Sequence, residues 1–435
     1  MTLPKIEWSG SVTVQCLFVH QNFPGQYRHL APALAARPGV KVVGLGENPG
    51  AALPGVDHLR YPRPEGAGEA THRYLRRTEA YIRRGQVVAR AAQTLHRQGL
   101  RPHVICVHPG WGEGLFLRDV FPDAKMLFYW EYFYGTPGGD TGFDPANAAN
   151  GLDEAASVRV QNSAQLLQLQ TADWGVSPTR FQWSRYPDWA RARISVVHEG
   201  IDTAIATPHG PAAFTLPDGR VLRSGNEVVS YVARNLEPYR GFPSFMRALP
   251  LLQRLRPGAQ VVVVGSDSVS YSRPPPEGGT WKDVLLKELE GQIDLSRVHF
   301  IGRVPYPTLL ALFRVTAAHL YLTYPFVLSW SMLDAMACGV PLLASATAPV
   351  LEVVEDGVNG RLVEFFDPEA IARGLAAMLA DPAALRPMRE AARRTVVERY
   401  DLRRVCLPQQ LALVDAVARM GARGEGILVP PAGPG

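Results

Sequence analysis

Two arginines, Arg234 and Arg240, stand six residues apart in the run ARNLEPYRG at 233–241. There a strand-like segment gives way to a helical one. Guanidinium groups at a strand end, beside the free amides of a helix start, suit a diphosphate. The competing reading is a pair of solvated arginines, and spacing alone leaves the two level. A second constellation lies at 325–339, PFVLSWSMLDAMACG. Ser329 is a good N-cap, which leaves first-turn amides free for a phosphate. Asp334 is an acid inside an apolar helix, so it must be paired or must bind a ligand hydroxyl. A third is Gly25 in PGQYRH at 24–29, where a glycine after a first strand lets backbone amides approach an anion or a sugar. Alone it is more often only a turn. The fourth is His108 in VHPGWGE at 107–113, with Glu131 ending the next strand. Two ionisable groups at adjacent strand ends can face one cleft, although a lone histidine is more often structural.

Other chemistries lack their residues. There is no GxxxxGK[ST] phosphate loop, no HExxH, no Cys/His metal spacing and no DxD to hold a metal on a nucleotide-sugar. The glycines at 44–50 have the wrong spacing for a dinucleotide fingerprint and follow the second strand. No metal and no cofactor are therefore expected. The four cysteines are far apart, which reads as reduced packing residues. No apolar run is long enough to span a bilayer and the first residues show no signal-peptide pattern, so a cytoplasmic location is expected.

The elements that must position these groups alternate between short β-branched runs and longer helical patterns. Strands are expected at 13–19, 40–45, 104–107 and 125–129, with a helix over 27–36. The pattern restarts with strands at 228–233, 260–264, 298–301, 318–322 and 341–345. Helices are expected over 242–255, 328–338, 367–379, 385–398 and 402–420. Such alternation predicts an α/β fold of two Rossmann-like domains with parallel sheets, facing a central cleft. The expected division is 1–203, 204–398, a C-terminal helix over 399–420 returning to the first domain, and a flexible tail over 421–435. Ligands in such sheets sit at the carboxyl ends of the strands. The length of 435 residues, with 46% hydrophobic and 20% charged, fits two or three domains rather than one.

The run DAMACGVP at 334–341 resembles the signature of family 4 glycosyltransferases of the GT-B fold. So does EVVEDGVNGRLV at 352–363, at the expected distance. The likeness extends to GRV at 302–304, to HEGID at 198–202 and to the Gly25 loop, and spans about 12 to 420. It implies a nucleotide-diphosphate-sugar donor in the second half, an acceptor mainly in the first, and metal-independent transfer with retention. The donor-binding set it implies is Gly25, Arg234, Arg240, Gly302, Arg303, Val304, Ser329, Trp330 and Asp334. Arg240 stands where the family has Lys. Of the family's two acids eight residues apart, the second falls on Asp334 and the first on Phe326, which cannot bind a sugar hydroxyl. The family's acceptor-side histidine falls near Glu131, which makes Glu131 and His108 the candidate catalytic residues beside Arg234 and Arg240.

The implied role is glycosyl transfer in cell-surface glycan or glycolipid synthesis, with a glycan or lipid-linked acceptor. Two rivals share the architecture: a nucleotide-sugar 2-epimerase and a non-catalytic sugar-nucleotide-binding protein. The formal net charge of +5 is uneven. Residues 71–101 hold eight arginines against one acid, Glu79, and Arg76, Arg83, Arg90 and Arg97 fall seven apart. On a helix these form one stripe. It reads either as a solvated face or as a peripheral contact with an anionic membrane. Nothing beyond mild basicity suggests nucleic acid.

Overall fold

The computed structural model describes residues 13–135, 138–145 and 151–421. The chain divides into two compact units, Met1–Glu199 with Arg403–Gly435, and Gly200–Leu402. The first division falls inside the HEGID run. The expected tail from 422 onward lies outside the described residues.

The first unit holds seven parallel strands: β1 (Val14–Val19), β2 (Val40–Gly46), β3 (Val56–Arg60), β4 (Val104–Val107), β5 (Lys125–Tyr129), β6 (Trp174–Ser177) and β7 (Ile194–Val196). Their order is β3-β2-β1-β4-β5-β6-β7. The order therefore reverses between β1 and β4, which pair with Leu17 beside Ile105 and Val19 beside Val107. Side chains alternate across a strand, so each β-branched run feeds two cores. Leu17, Val19 and Ile105 pack with Val88, Ala91 and Leu95 of the helix Arg76–Arg97. Cys16, Phe18 and Cys106 face the other way, toward Leu30 and Leu34. Val414 and Val417, from the helix Leu407–Ala418, complete that second core.

The second unit opens with an antiparallel pair, β8 (Ala213–Thr215) and β9 (Val221–Arg223). These lie in the Pro/Gly-containing stretch after the boundary, and Phe214 and Leu222 are buried in the core of this unit. A parallel sheet follows: β10 (Val228–Asn235), β11 (Gln260–Ser266), β12 (Val298–Phe300), β13 (Ala318–Tyr321), β14 (Leu342–Ser345) and β15 (Arg361–Val363). Its order is β12-β11-β10-β13-β14-β15, so it reverses between β10 and β13. Each sheet thus has one switch point, where an open α/β sheet leaves a crevice beyond its strand ends.

Some expected elements change. The helix expected over 27–36 is a 3-10 turn at Gly25–Tyr27 and a short helix Leu30–Ala35. The helix expected from 328 starts at Trp330, because Ser329 is its cap. The last helix is preceded by a π-helical stretch, Leu402–Cys406, with Pro408 in its own first turn. All four cysteines are buried, and no disulfide forms among the described residues.

Gly241 begins the helix Phe242–Leu255 with φ +70°, and an added Cβ would lie 2.4 Å from Leu322 Cβ. Gly241→Ala is expected to cost at least about 2 kcal/mol, by strain and by overlap. Urea denaturation measures it.

Candidate active site

In the second unit, polar groups gather at the switch point. Arg240 follows β10, lies nine-tenths buried and crosses to the β13 side. Its Nη1 donates to Thr323 Oγ1 at 2.7 Å and to Val327 O at 3.0 Å. No carboxylate pairs with it, and its Nε and Nη2 have no hydrogen-bond partner among the described residues. A buried charge without an opposite charge is costly unless a ligand supplies one. Arg234, at the end of β10, is exposed and has no hydrogen bond or ion pair among the described residues.

The neighbouring loops are tied to this strand end. Arg303 Nη2 donates to Asn235 Oδ1 at 3.2 Å, just after Gly302, whose φ is +67°. Glu237 is buried and its Oε2 accepts from the backbone N–H groups of Ser270, Tyr271 and Ser272 at 2.9–3.0 Å. That carboxylate fixes the loop after β11 and brings Tyr271 to 5.8 Å from the Arg240 guanidinium.

Ser329 caps the helix Trp330–Ala337, its hydroxyl accepting from Ser331 N–H at 3.3 Å. Its own N–H donates to Tyr321 Oη at 2.8 Å. Asp334 is buried, and Tyr306 Oη donates to its Oδ1 at 2.8 Å. The pairing demanded of a buried acid is thus met at least in part by a protein hydroxyl. Val304 and Trp330 pack partly buried against the core of this unit. Phe326 is buried edge-on to Tyr271, with ring centroids 4.8 Å apart, and to Tyr239 at 5.6 Å. Tyr239 in turn stacks on Tyr324 at 4.6 Å. The position that resembles the family's first acid is therefore part of an aromatic cluster beside Arg240.

In the first unit, the structure brings His108 and Glu131 together at the ends of β4 and β5. His108 Nε2 stands 3.5 Å from Glu131 Oε2. Gln26 Nε2 donates to Glu131 Oε1 at 3.1 Å. Gly25 precedes Gln26, and a Cβ added to it would lie 2.6 Å from Nε2 of His20, which follows β1. The polar groups follow β1, β4 and β5, around this sheet's own switch point.

A neighbouring group of buried residues escaped sequence reasoning. Glu47 follows β2, and its Oε2 accepts from Arg84 Nε at 3.1 Å and Nη2 at 2.8 Å. Glu113, fully buried, accepts from Tyr61 Oη at 3.3 Å through Oε1, while Oε2 has no partner. Burial pushes the Glu113 carboxyl up to about 7, against the pull of Arg84, His108 and the Tyr61 hydroxyl. The sequence signal for this group was position, since Glu47 and Tyr61 directly follow β2 and β3 and Glu113 lies in the loop after β4.

Among the described residues no group of three His, Cys, Asp or Glu could hold a metal ion, and no helix is long and apolar enough to cross a membrane.

Two parallel sheets, each with polar groups gathered at its switch point, are the arrangement in which open α/β sheets bind ligands. A family model described as "Glycosyl transferase family 4 group" matches residues 38–206. One described as "Glycosyl transferases group 1" matches residues 217–395. The chain belongs to the family 4 glycosyltransferases of the GT-B fold. It is 33% identical over 198 residues to a D-inositol 3-phosphate glycosyltransferase of Mycolicibacterium vanbaalenii, covering 45% of this chain and 42% of that one. It is 31% identical over 234 residues to a glycogen synthase of Mycobacterium tuberculosis, covering 53% and 50%. The chain thus matches about half or less of these curated relatives' length. Among solved structures, a sucrose-phosphate synthase from Thermosynechococcus elongatus superposes with TM-score 0.68 at 18% identity, over 92% of this chain and 98% of that one. Anabaena HepE in complex with UDP and glucose gives 0.62 at 17% identity, over 92% and 98%. These two likenesses show the fold.

Proposed function

We propose that the protein moves a sugar from a nucleotide-diphosphate-sugar to an acceptor hydroxyl, with retention and without a metal, in cell-surface glycan or glycolipid synthesis. The observation that carries the reading is Arg240, a buried guanidinium with no carboxylate partner at the switch point of the second sheet. The HepE structure, which holds UDP, supports a uridine donor as the first to test.

In this reading Arg234 and Arg240 meet the charge that develops on the leaving diphosphate. Fixed donors of this kind supply much of the barrier lowering in charge-separating reactions. The bond from the anomeric carbon to the phosphate oxygen breaks as the acceptor oxygen bonds to the same face. The acceptor proton passes to the departing phosphate oxygen. His108 and Glu131 hold the acceptor. The test is calorimetry with UDP, GDP, ADP and dTDP, then product analysis with donor alone and with glycan and lipid acceptors. One nucleotide should bind, and transfer should need an acceptor. Epimer formation from donor alone, or tight binding without transfer, overturns the reading.

The membrane contact belongs to the same proposal, with its residues revised. On the helix Arg76–Arg97, Arg83 is held by Glu79 at 2.6 Å and Glu65 at 3.4 Å, and Arg84 by Glu47. Arg76, Arg90 and Arg97 remain exposed. Each exposed Arg near an anionic leaflet adds about 1 kcal/mol. Changing these three to Gln is expected to abolish flotation with anionic liposomes. Unaltered flotation, or none in the parent, removes the idea.

A further inference from the structure

In the first unit two adjacent buried imidazole rings, His20 and His108, each hold an Nε2 without a hydrogen-bond partner among the described residues. His20 follows β1 and His108 follows β4, the two strands between which the sheet order reverses. In each, Nδ1 accepts a backbone N–H from two residues on: Asn22 to His20 at 2.8 Å, Gly110 to His108 at 3.1 Å. A ring nitrogen that accepts carries no proton, so each neutral ring bears its hydrogen on Nε2. The ring centroids are 4.8 Å apart, and the side chains are 3% and 1% exposed. Neither Nε2 has a hydrogen-bond partner among the described residues. Gln26 comes near enough to His20 to favour its charged form, but outside hydrogen-bonding geometry, and burial outweighs it to keep the ring neutral. Glu131 Oε2, 3.5 Å from His108 Nε2, is also not aligned for a bond.

An unmet buried donor costs about 1–3 kcal/mol. Two side by side mark a place where oxygen atoms arrive from outside. A second observation concerns Gly25, where an added Cβ would lie 2.6 Å from His20 Nε2. This glycine is partly exposed, and only its lack of a side chain lets the backbone pass this close to the ring. Trp111, also partly exposed, stacks on His108 at 4.8 Å and stands edge-on to His20 at 5.4 Å.

We propose that His20 and Trp111 join His108 and Glu131 in a subsite for an uncharged vicinal diol, the hydroxyl-bearing edge of a carbohydrate. Calling that carbohydrate the acceptor rests on the transferase reading; the subsite itself does not. A hydroxyl accepts from an imidazole N–H and donates to a carboxylate, so it satisfies both kinds of partner here. Two adjacent hydroxyls match two adjacent donors. A carboxylate only accepts, and either a carboxylate or a phosphate would bring negative charge against Glu131. The indole beside the donors suits the apolar face of a sugar ring.

Nitrogen-15 NMR of the full chain tests this, with the two rings assigned through His20→Gln and His108→Gln. Both should show hydrogen on Nε2. Methyl glucoside and myo-inositol should each shift both signals saturably, and inorganic phosphate should shift neither. Each histidine variant should weaken polyol binding about tenfold, the scale of one lost hydrogen bond. If neither variant folds, Trp111→Ala, assigned by tryptophan fluorescence quenching on polyol addition, gives the same readout. A proton on Nδ1, a shift with phosphate, or no shift with any polyol up to its solubility overturns the subsite. Nucleotide calorimetry separates the two readings. Nucleotide binding without a polyol response defeats the subsite alone, and a polyol response without nucleotide binding defeats the transferase reading alone.

Discussion

Arg234→Ala is expected to lower turnover by about two to three orders of magnitude, roughly 2.7–4 kcal/mol, while leaving the melting temperature unchanged. Its side chain is exposed and has no hydrogen bond or ion pair among the described residues, so its loss removes no such contact. Arg240→Ala should lose as much activity. It also gives up the bonds to Thr323 and Val327, each worth about 1 kcal/mol, so some stability goes with it. Arg240→Lys separates charge from geometry. An ammonium keeps the positive charge but not the planar fork that reaches Thr323 and Val327 while presenting Nε and Nη2 to a ligand. The lysine variant should recover part of the nucleotide affinity and little of the turnover. Steady-state kinetics and nucleotide calorimetry read both quantities. Near-normal turnover in Arg234→Ala would sink the assignment of this strand end to the donor diphosphate.

Glu113→Gln is expected to flatten the stability profile between about pH 4.5 and 7. The folded protein holds the Glu113 proton up to about 7, against an ordinary value of 4.5, because burial penalises the carboxylate. The sign follows from proton counting. Between those two values the folded state binds the proton more tightly than the unfolded state. The stability this group contributes is therefore full below pH 4.5 and is lost as pH rises through 7. The interval corresponds to about 3 kcal/mol. Arg84 offsets only part of this penalty through space, because both of its hydrogen bonds go to Glu47. Tyr61 and His108 face Glu113 as well, and their help is included in the raised value. The glutamine is neutral throughout and can still accept from Tyr61. Buried His198 and His319 are pushed down to about 4 by burial and contribute with the opposite sign as pH falls. The measured quantity is accordingly the difference between parent and variant in urea midpoints across pH. A difference that does not change with pH would show that Glu113 is ionised in the fold.

The strands were legible where hydrophobic runs are long and β-branched. Val104–Val107 and Lys125–Tyr129 fall where the pattern puts them, because both faces of a parallel strand are buried and no polar alternation blurs the run. Ile194–Val196 and Arg361–Val363 are three residues each, too short to carry a period, and emerge only because a neighbour supplies the ladder. Arg234, Arg240, His108 and Glu131 could be found by type and by position after strands. His20 stood in plain view in the same kind of position, but its neighbours suggested only a turn. Nothing in the spacing of Glu47, Arg84 and Glu113 announces that two acids share one arginine.

Composition, strand pattern and the chain order of turns determined by themselves that this protein has two α/β halves with polar residues at the carboxyl ends of their strands. Those features are local, set by side-chain periodicity and by which residues tolerate a turn. The tertiary structure decided which of the polar residues are charged, paired or left open. Asp334 met Tyr306, Glu47 met Arg84, and Arg240 met no acid. Each outcome depends on burial and on partners brought from other strands and helices, and electrostatic cost in a low-dielectric interior is settled by those neighbours rather than by sequence proximity.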